Sequence, residues 1–487
     1  MKFTIDANQG KAYDVVVCGA GTAGVTAAIA AGRQGASVLL LERSFTVGGM
    51  LTNGNAGITK FTDHCKDHDI YKKEVLDQLA VNPEKVLVVG GIPREFCKKM
   101  IKEGTASGTN GDCGGYVFAD RFAAQRTLLD MLKDANVELL YDTRVCHVTM
   151  DGDTITGVVV VNKEGFTQFP AKCVIDTTGD ADVAALSGVE FRHGADEIDM
   201  AESSVTYPGQ VQPMGVMYTV GNVDFEKLFA YLDEHPDKFS MQSIAMMDLE
   251  EAKENYAKGD MCCFKVRLDR PDFAPETDKP VYDVQIYVCP SHTEAILLAC
   301  GTDYNFYYNG NGLNAACLTD AHNSMLYGTE ITTQLMRENF PGFENAKITI
   351  VPDLGVRETR RIIGKYCINA MDVMTGKDFE DSIACGGHHV DTHGAPKEVR
   401  EMSMYHWRYH VPYRIMLPQK VKNLLVAGRS VSATRIGQGA TRVSATCMAM
   451  GEAAGIAATI AVKNGVSPDE IDVQLLRKML TDAGAVI

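Results

Sequence analysis

The stretch Tyr13-Asp14-Val15-Val16-Val17-Cys18-Gly19-Ala20-Gly21-Thr22-Ala23-Gly24 decides the reading of this chain. Val15 to Cys18 form the apolar run of a buried strand, and the small, Ala-rich residues from Thr22 to Arg33 suit a helix packed close against a sheet. Between them lies a G-x-G-x-x-G loop. Gly19 permits the tight turn, Gly21 lets backbone approach a pyrophosphate, and Gly24 lets helix and strand touch. A helix starting at Thr22 and Ala23 aims its free N–H groups and the positive end of its dipole at such an anion. A second strand, Ser37 to Leu41, delivers Glu42, which lies 18 residues beyond Gly24 and can accept both ribose hydroxyls. Strand, loop, helix, strand and acid in register predict dinucleotide binding.

The remaining composition sets bounds on everything else. A chain of 487 residues is too long for one simple core and suits two or three domains. With 47 Lys and Arg against 63 Asp and Glu, a formal charge of −16 argues against nucleic acid or an anionic membrane as partner. Any anion must therefore be met by local basic groups. The start, Met1-Lys2-Phe3-Thr4-Ile5-Asp6, has neither an apolar h-region nor twin arginines, which leads to the expectation of a cytoplasmic protein. The 14 cysteines show no C-x-x-C spacing and are expected to be buried thiols, Cys262-Cys263 being the one local cluster. His388, His389, Asp391 and His393 are metal-ligating residue types, but nothing completes a set, and no metal is expected. Ser444 to Val462 could be mistaken for a membrane span; Gly451, Glu452 and Gly455 within it favour a soluble helix in close contact with a sheet or cofactor.

The order of patterns divides the chain. Residues 1–190 read as the first part of a dinucleotide-binding domain. Within it, residues 119–134 form a helix with Phe122, Leu128, Leu129 and Leu132 at helical spacing. Val137–Leu140 and Val145–Thr149 follow as strands, and Gly157–Val161 with Gln168–Ala171 complete a β-meander. A further strand, Cys173–Asp176, runs into Thr178-Gly179-Asp180. Residues 191–417 lose the βα alternation and read as a substrate domain, with 350–365 returning toward the cofactor site. Residues 418–487 rejoin the first domain through the strand Val421–Ala427, the turn Gly428-Arg429 and a long small-residue helix. Ser467-Pro468-Asp469-Glu470 then caps a terminal helix.

Taken together these motifs resemble the FAD-dependent oxidoreductases of the glutathione-reductase-like two-dinucleotide-binding class, over nearly the whole chain. The matching features are the glycine fingerprint with Glu42-Arg43, Gly48-Gly49-Met50, Thr178-Gly179-Asp180, and Gly428-Arg429 followed by Arg442 and its helix. More narrowly, Gly355-Val356-Arg357-Glu358-Thr359-Arg360-Arg361, the His388-to-His393 segment and Val411-Pro412-Tyr413-Arg414 look like the bacterial FAD-dependent oxidoreductase family. The resemblance implies an α/β fold: a doubly wound, Rossmann-like FAD-binding domain with a β-meander insertion, plus a second, α+β substrate domain. It implies FAD as cofactor. Gly19, Gly21, Thr22, Ala23 and Gly24 would meet the pyrophosphate, Glu42 the adenosine ribose and Val145 the adenine. The Gly428-Arg429 turn would hold the ribityl and flavin end, with Arg43, Gly49, Met50, Thr178 and Gly179 completing the cofactor set. No redox cysteine pair follows the first loop, so a disulfide reductase is not expected. Met50, Leu51 and Thr52 stand where a covalently flavinylated relative would place a His, so the FAD is expected to be non-covalent.

Candidate chemistry clusters late in the chain. In the run Arg357-Glu358-Thr359-Arg360-Arg361, strand alternation would put Arg357 and Arg361 on one face and Arg360 on the other. One or two of these could bind a substrate carboxylate bidentately; the competing reading is a salt-bridge set with Glu358. His393 could donate or accept a proton near neutral pH, or be a structural histidine. Arg442, at the start of the late helix, opposes the helix dipole and so wants a compensating anion, which the resemblance places at the flavin or substrate end. The aromatics between Tyr405 and Tyr413, with Tyr304, Tyr307 and Tyr308, would line the substrate cavity or fill a domain interface. The function expected is hydride transfer between FAD and a small, anionic organic metabolite, with Arg357 and Arg442 orienting it and His393 handling the proton. Two alternatives remain open: a flavin-dependent isomerase or lyase without net redox, and a non-catalytic flavin-binding protein. The partners are then a small-molecule substrate and an unidentified electron donor or acceptor, since no second glycine fingerprint for a nicotinamide is visible. Homo-oligomerisation is left open.

Overall fold

Because β1 (Tyr13–Cys18) is buried on both faces, it sits at the centre of a parallel sheet. Val15 and Val17 pack on one side, Val16 and Cys18 on the other. The protein is described from a computed structural model covering residues 4, 6–54, 57–59, 87–108, 112–113, 116–202, 208–240, 247–269, 281–300, 308–393 and 408–487. β1 leads through α1 (Thr22–Arg33) to β2 (Val38–Leu41). The parallel strand order is β3 (Glu138–Leu140), β2, β1, β6 (Gly165–Asp176), β7 (Leu424–Val426). β6 is a single strand where the sequence suggested two. Its first half, through Pro170, pairs antiparallel with β5 (Thr154–Asn162), which pairs with β4 (Arg144–Asp151) to make the meander. From Ala171 onward it pairs with β1, so the backbone changes partners without turning.

The last long helix, α2 (Ser444–Asn464), packs lengthwise on α1. Small residues make this possible: a Cβ on Gly451 would lie 2.1 Å from Ala23 O, and one on Gly455 2.2 Å from Ala27 O. Thr26 Oγ1 donates to Met448 O at 2.7 Å in the same seam. α2 is apolar and long enough to cross a membrane by composition, yet 94% of its most apolar window is buried inside the protein, which accounts for that composition as core. The register also has a consequence for the site. Gly451 faces Ala23, so the seven residues of α2 before it overhang the start of α1 by about 10 Å.

The helix Arg121–Asp134 starts where Asp120 accepts Ala123 N–H at 2.7 Å. Leu128 and Leu132 are buried as expected, but Phe122 is 75% and Leu129 38% exposed. Phe122 lies six residues before Leu128, about 240° around the helix, and the buried stripe is completed by Ala124, Thr127 and Met131 instead.

A second core belongs to a five-stranded antiparallel sheet, in the order Cys263–Asp269, Val281–Val288, Glu294–Cys300, Tyr218–Gly221, Lys347–Ile350. One face carries Phe264, Val266, Val284, Ile286 and Leu297 against Phe225 and Phe229 of the helix Phe225–Glu234. Residues after Arg360 behave differently. Arg360–Ile362 pairs with Phe191–His193, and Ser382–Gly386 with Tyr409–Pro412. Ile383, Cys385, Tyr409, Val411 and Tyr413 share the core of the parallel sheet and α2, although they fall within the interval read as substrate domain. Tyr409 OH donates to Ala440 O and Tyr413 OH to Pro468 O, so these two aromatics fill the interior rather than line a cavity. Tyr308 bridges to Met214; Tyr304, Tyr307, Tyr405, His406 and Trp407 lie outside the described residues.

Candidate functional site

The carboxyl ends of the parallel strands, the start of α2 and the second face of the antiparallel sheet enclose one cavity of about 1050 Å³. That exceeds the roughly 300–1,000 Å³ of ordinary small-molecule pockets. The first wall is backbone. Gly19 adopts φ +101°, and a Cβ there would meet Thr177 O at 2.6 Å, so only glycine makes the turn. A Cβ on Gly21 would meet nothing within 4 Å, because its α-carbon faces the open cavity. Gly24 does not line the cavity. Its α-carbon presses on Gly19, where an added Cβ would lie 1.8 Å from the carbonyl oxygen. Thr22, Ala23, Arg43, Gly49, Met50, Val145, Thr178, Gly179, Gly428 and Arg429 all border the same space.

Glu42 stands at the end of β2 with its carboxylate already oriented. One oxygen accepts Ala20 N–H at 2.8 Å; the other accepts Ser44 N–H and Ser44 Oγ, each at 2.8 Å. A carboxylate has lone pairs beyond these three bonds, so acceptor capacity remains. Thr178 is held in turn by Asp176, whose buried carboxyl is pushed up to about 6 by desolvation. Arg429 is engaged by the protein. Its Nε donates to Gly179 O at 2.7 Å, Nη2 to Asp180 at 2.6 Å, and Nη1 to Val356 O. It braces two cavity loops against each other.

The other end of the cavity carries charge. Arg442, two residues ahead of α2, donates from Nη2 to Asp391 Oδ2 at 2.7 Å and to Asp391 O at 2.8 Å. The anion that a cation at a helix start requires is thus supplied by the protein itself. Burial would raise the Asp391 carboxyl, but Arg442, Arg357, His388 and His393 outweigh it and hold it well below the usual carboxylate range. Arg442 is pulled down by burial and by Arg357, against the pull of Asp391. Arg357 donates to Pro213 O at 2.7 Å, and with Arg442, Asp391 and His393 it lines the cavity. His388 and His389 stack at 4.4 Å beside them, with His388 Nδ1 2.7 Å from His389 O. Among the described residues no three His, Cys, Asp or Glu side chains come together to hold a metal ion.

Alternation does not hold for the arginine run, because strand structure begins only at Arg360 and residues 355–359 form a cavity loop. Arg357 faces the cavity. Arg360 pairs with Asp182 at 2.8 Å and covers the Phe191 ring. Arg361 is wholly buried with Asp199, at 2.7 Å, and Glu358. Glu358 also pairs with Arg435, so the salt-bridge reading holds for Arg361, while Arg357 lines the cavity.

The third wall escaped the sequence reading. Lys265, Gln285, Tyr287 and Leu298 enter the cavity from the antiparallel sheet, with the Phe118 ring tilted against Tyr287 at 4.6 Å. The one available signal was a lysine inside the apolar run Cys262-Cys263-Phe264-Lys265-Val266.

The model of the FAD dependent oxidoreductase family matches residues 14–480. Among curated proteins, the NADH:fumarate oxidoreductase of Klebsiella pneumoniae (strain 342) is 27% identical over 220 residues, 38% of this chain and 22% of that protein. A digeranylgeranylglycerophospholipid reductase 1 of Methanococcoides burtonii is 27% identical over 181 residues, 37% of this chain and 40% of that protein. The matched region spans well under half the length of either relative. Among solved structures, a geranylgeranyl bacteriochlorophyll reductase-like protein of Thermoplasma acidophilum aligns over 98% of this chain and 85% of its own, at 13% identity and TM-score 0.44. The p-nitrophenol 4-monooxygenase of Pseudomonas putida aligns over 97% and 85%, at 12% identity and TM-score 0.44.

Proposed function

The chain belongs to the FAD dependent oxidoreductase family, and from that premise we propose that it transfers a hydride between non-covalently bound FAD and a small anionic metabolite. The protein is an FAD-dependent enzyme, and the residues present fit the cofactor: a glycine loop open to a large cavity, and an acid fixed at its rim. Gly19, Gly21, Thr22 and Ala23 would take the pyrophosphate at the start of α1, with Gly24 supporting the loop from behind. Glu42 and Arg43 would hold the adenosine ribose and the Val145 backbone the adenine. Gly49, Met50, Thr178, Gly179, Gly428 and the Arg429 backbone would surround the ribityl and flavin end. Bound FAD supplies the redox chemistry; the chain supplies binding, orientation and the proton.

One observation supports the anionic substrate: Arg357 and Arg442 both border one end of the cavity, close enough that each lowers the Asp391 carboxyl. Two guanidiniums lining one cavity end suit a ligand that carries negative charge. Arg357 would orient the substrate carboxylate, Arg442 would fix the Asp391 loop and the local field, and His393 would hold or release the proton. The glutathione-reductase-like subclass, a bacterial origin, a cytoplasmic location and a separate electron donor or acceptor complete this reading. The unpaired cysteines among the described residues support a reducing compartment.

The test is steady-state kinetics on the FAD-loaded enzyme. Arg357→Met is expected to lower kcat/KM at least a hundredfold with FAD content unchanged, and His393→Gln to remove one limb of the kcat pH profile. Unchanged turnover in either variant would take the role from that residue.

A further inference from the structure

The antiparallel sheet is buried on both faces, and the face toward the cavity holds a cation that nothing described neutralises. Lys265 and Gln285 are register partners on neighbouring strands, and Gln285 is in turn the partner of Leu298, so the three side chains stand in a row across the sheet. Lys265 is 7% and Gln285 8% exposed, and both line the cavity. The adjacent charges on this face are already matched: Arg267 Nε lies 3.6 Å from Asp283, which also accepts Ser240 Oγ. No carboxylate among the described residues lies within ion-pair distance of the Lys265 ammonium. A lysine held in the cavity wall with no carboxylate beside it is suited to meet an anion supplied by a ligand.

The neighbour sharpens the chemistry. Tyr287 OH donates to Gln285 Oε1 at 2.6 Å, and Phe118 packs on the Tyr287 ring, so the carbonyl end of the amide is held toward Tyr287. The Gln285 NH₂ is the other end of that amide, on the register partner of Lys265. An ammonium and an amide NH₂ on neighbouring strands match a group that accepts from both, such as a carboxylate. This pair sits on the sheet, whereas Arg357 and Arg442 sit on the 355–359 loop and ahead of α2. The cavity is therefore lined by cationic side chains on two separate walls.

We propose that Lys265 and Gln285 form a second anion subsite, so that the substrate is dianionic, one carboxylate-type end on the sheet and the other toward Arg357. The inference rests on the reading of this cavity as the substrate site, and binding alone can test it. The FAD-loaded protein is titrated with acetate, malonate, succinate and glutarate, and binding is followed by the perturbation of the visible flavin spectrum. At least one diacid is expected to bind tenfold or more tightly than acetate. Lys265→Met should abolish that advantage while leaving acetate affinity and FAD content unchanged; Lys265→Arg should restore it, and Gln285→Leu should weaken the diacid by a smaller factor. Diacids binding no better than acetate, undiminished diacid binding in Lys265→Met, or loss of FAD in place of the diacid would each overturn the subsite. If the diacid advantage requires Lys265 but no metabolite ever exchanges electrons with the flavin, the subsite stands and the redox reading falls. If turnover is found and its KM ignores Lys265, the reverse holds.

Discussion

The two walls of the cavity are built on opposite principles. On the glycine-loop side the wall is largely backbone: Gly21 offers a bare α-carbon, Gly19 a turn that excludes side chains, and the Glu42 carboxylate is pinned by Ala20 and Ser44. On the facing side the lining is side chains, from the sheet and from the Arg357 and His388-to-His393 segments. A backbone site must exclude bulk at fixed spacings, and that leaves a signature in sequence. A side-chain site needs only one suitable residue at each of several distant positions. The arginines make the same contrast in small: Arg361 is spent inside the protein, while Arg357 faces the cavity.

The largest expected effect separates those two arginines. Arg361→Met leaves Asp199 buried without its cation and Glu358 with Arg435 alone, and should cost about 3–5 kcal/mol in chemical denaturation. Arg357→Met should stay within about 1 kcal/mol of the parent while losing turnover. Equal losses of stability would erase the distinction.

Next come two glycines of one fingerprint. Gly24→Ala forces a methyl into the Gly19 carbonyl and should destabilise the fold by about 1–3 kcal/mol or more. Gly21→Ala meets no protein atom, so its melting temperature without FAD should not change, while FAD affinity falls roughly tenfold, about 1.4 kcal/mol. Calorimetry and fluorescence titration of the apoprotein would show either pattern, and a reversal would mean that Gly21 is structural.

A pH effect tests the support behind the backbone wall. Glu452, within α2, accepts Ile92 N–H at 2.9 Å, and burial pushes its carboxyl up to about 7 from the ordinary 4.5. A raised carboxyl favours the folded state most below the unfolded value, and that contribution is lost as pH climbs from about 4.5 to about 7. Glu452→Gln should flatten stability across that window, and an unaltered slope would show the group to be ionised in the fold. The smallest effect concerns the helix Arg121–Asp134: Asp120→Ala removes its N-cap and should cost about 1 kcal/mol without touching FAD affinity.

What was legible follows from the same contrast. α1 runs from Thr22 to Arg33 as its composition indicates, and Gly19, Gly21, Glu42, Val145, Gly179 and Gly428 converge on one cavity from segments hundreds of residues apart. Each is placed by a strand end or a turn, and those are local properties. Lys265 and Gln285 escaped notice because a lone lysine or glutamine in a strand is ordinary; only the cross-strand register puts the pair together. The pairing of Arg442 with Asp391 was half legible, since the helix start calls for an anion but does not say whose. Phe122 was misread because a list of apolar residues at helical intervals does not fix which stripe turns inward.

The central claim is that FAD in this cavity exchanges electrons with a small anion oriented by Arg357. Its most direct measurement is anaerobic: the visible absorption of the bound flavin, oxidised or pre-reduced, is followed while carboxylate metabolites are added one at a time to the parent protein and to Arg357→Met. The account predicts stoichiometric bleaching or recovery of the flavin with at least one metabolite, absent in Arg357→Met at equal FAD content. A fully loaded parent protein whose flavin responds to none of them in either direction, or an Arg357→Met variant that responds equally fast, would contradict it.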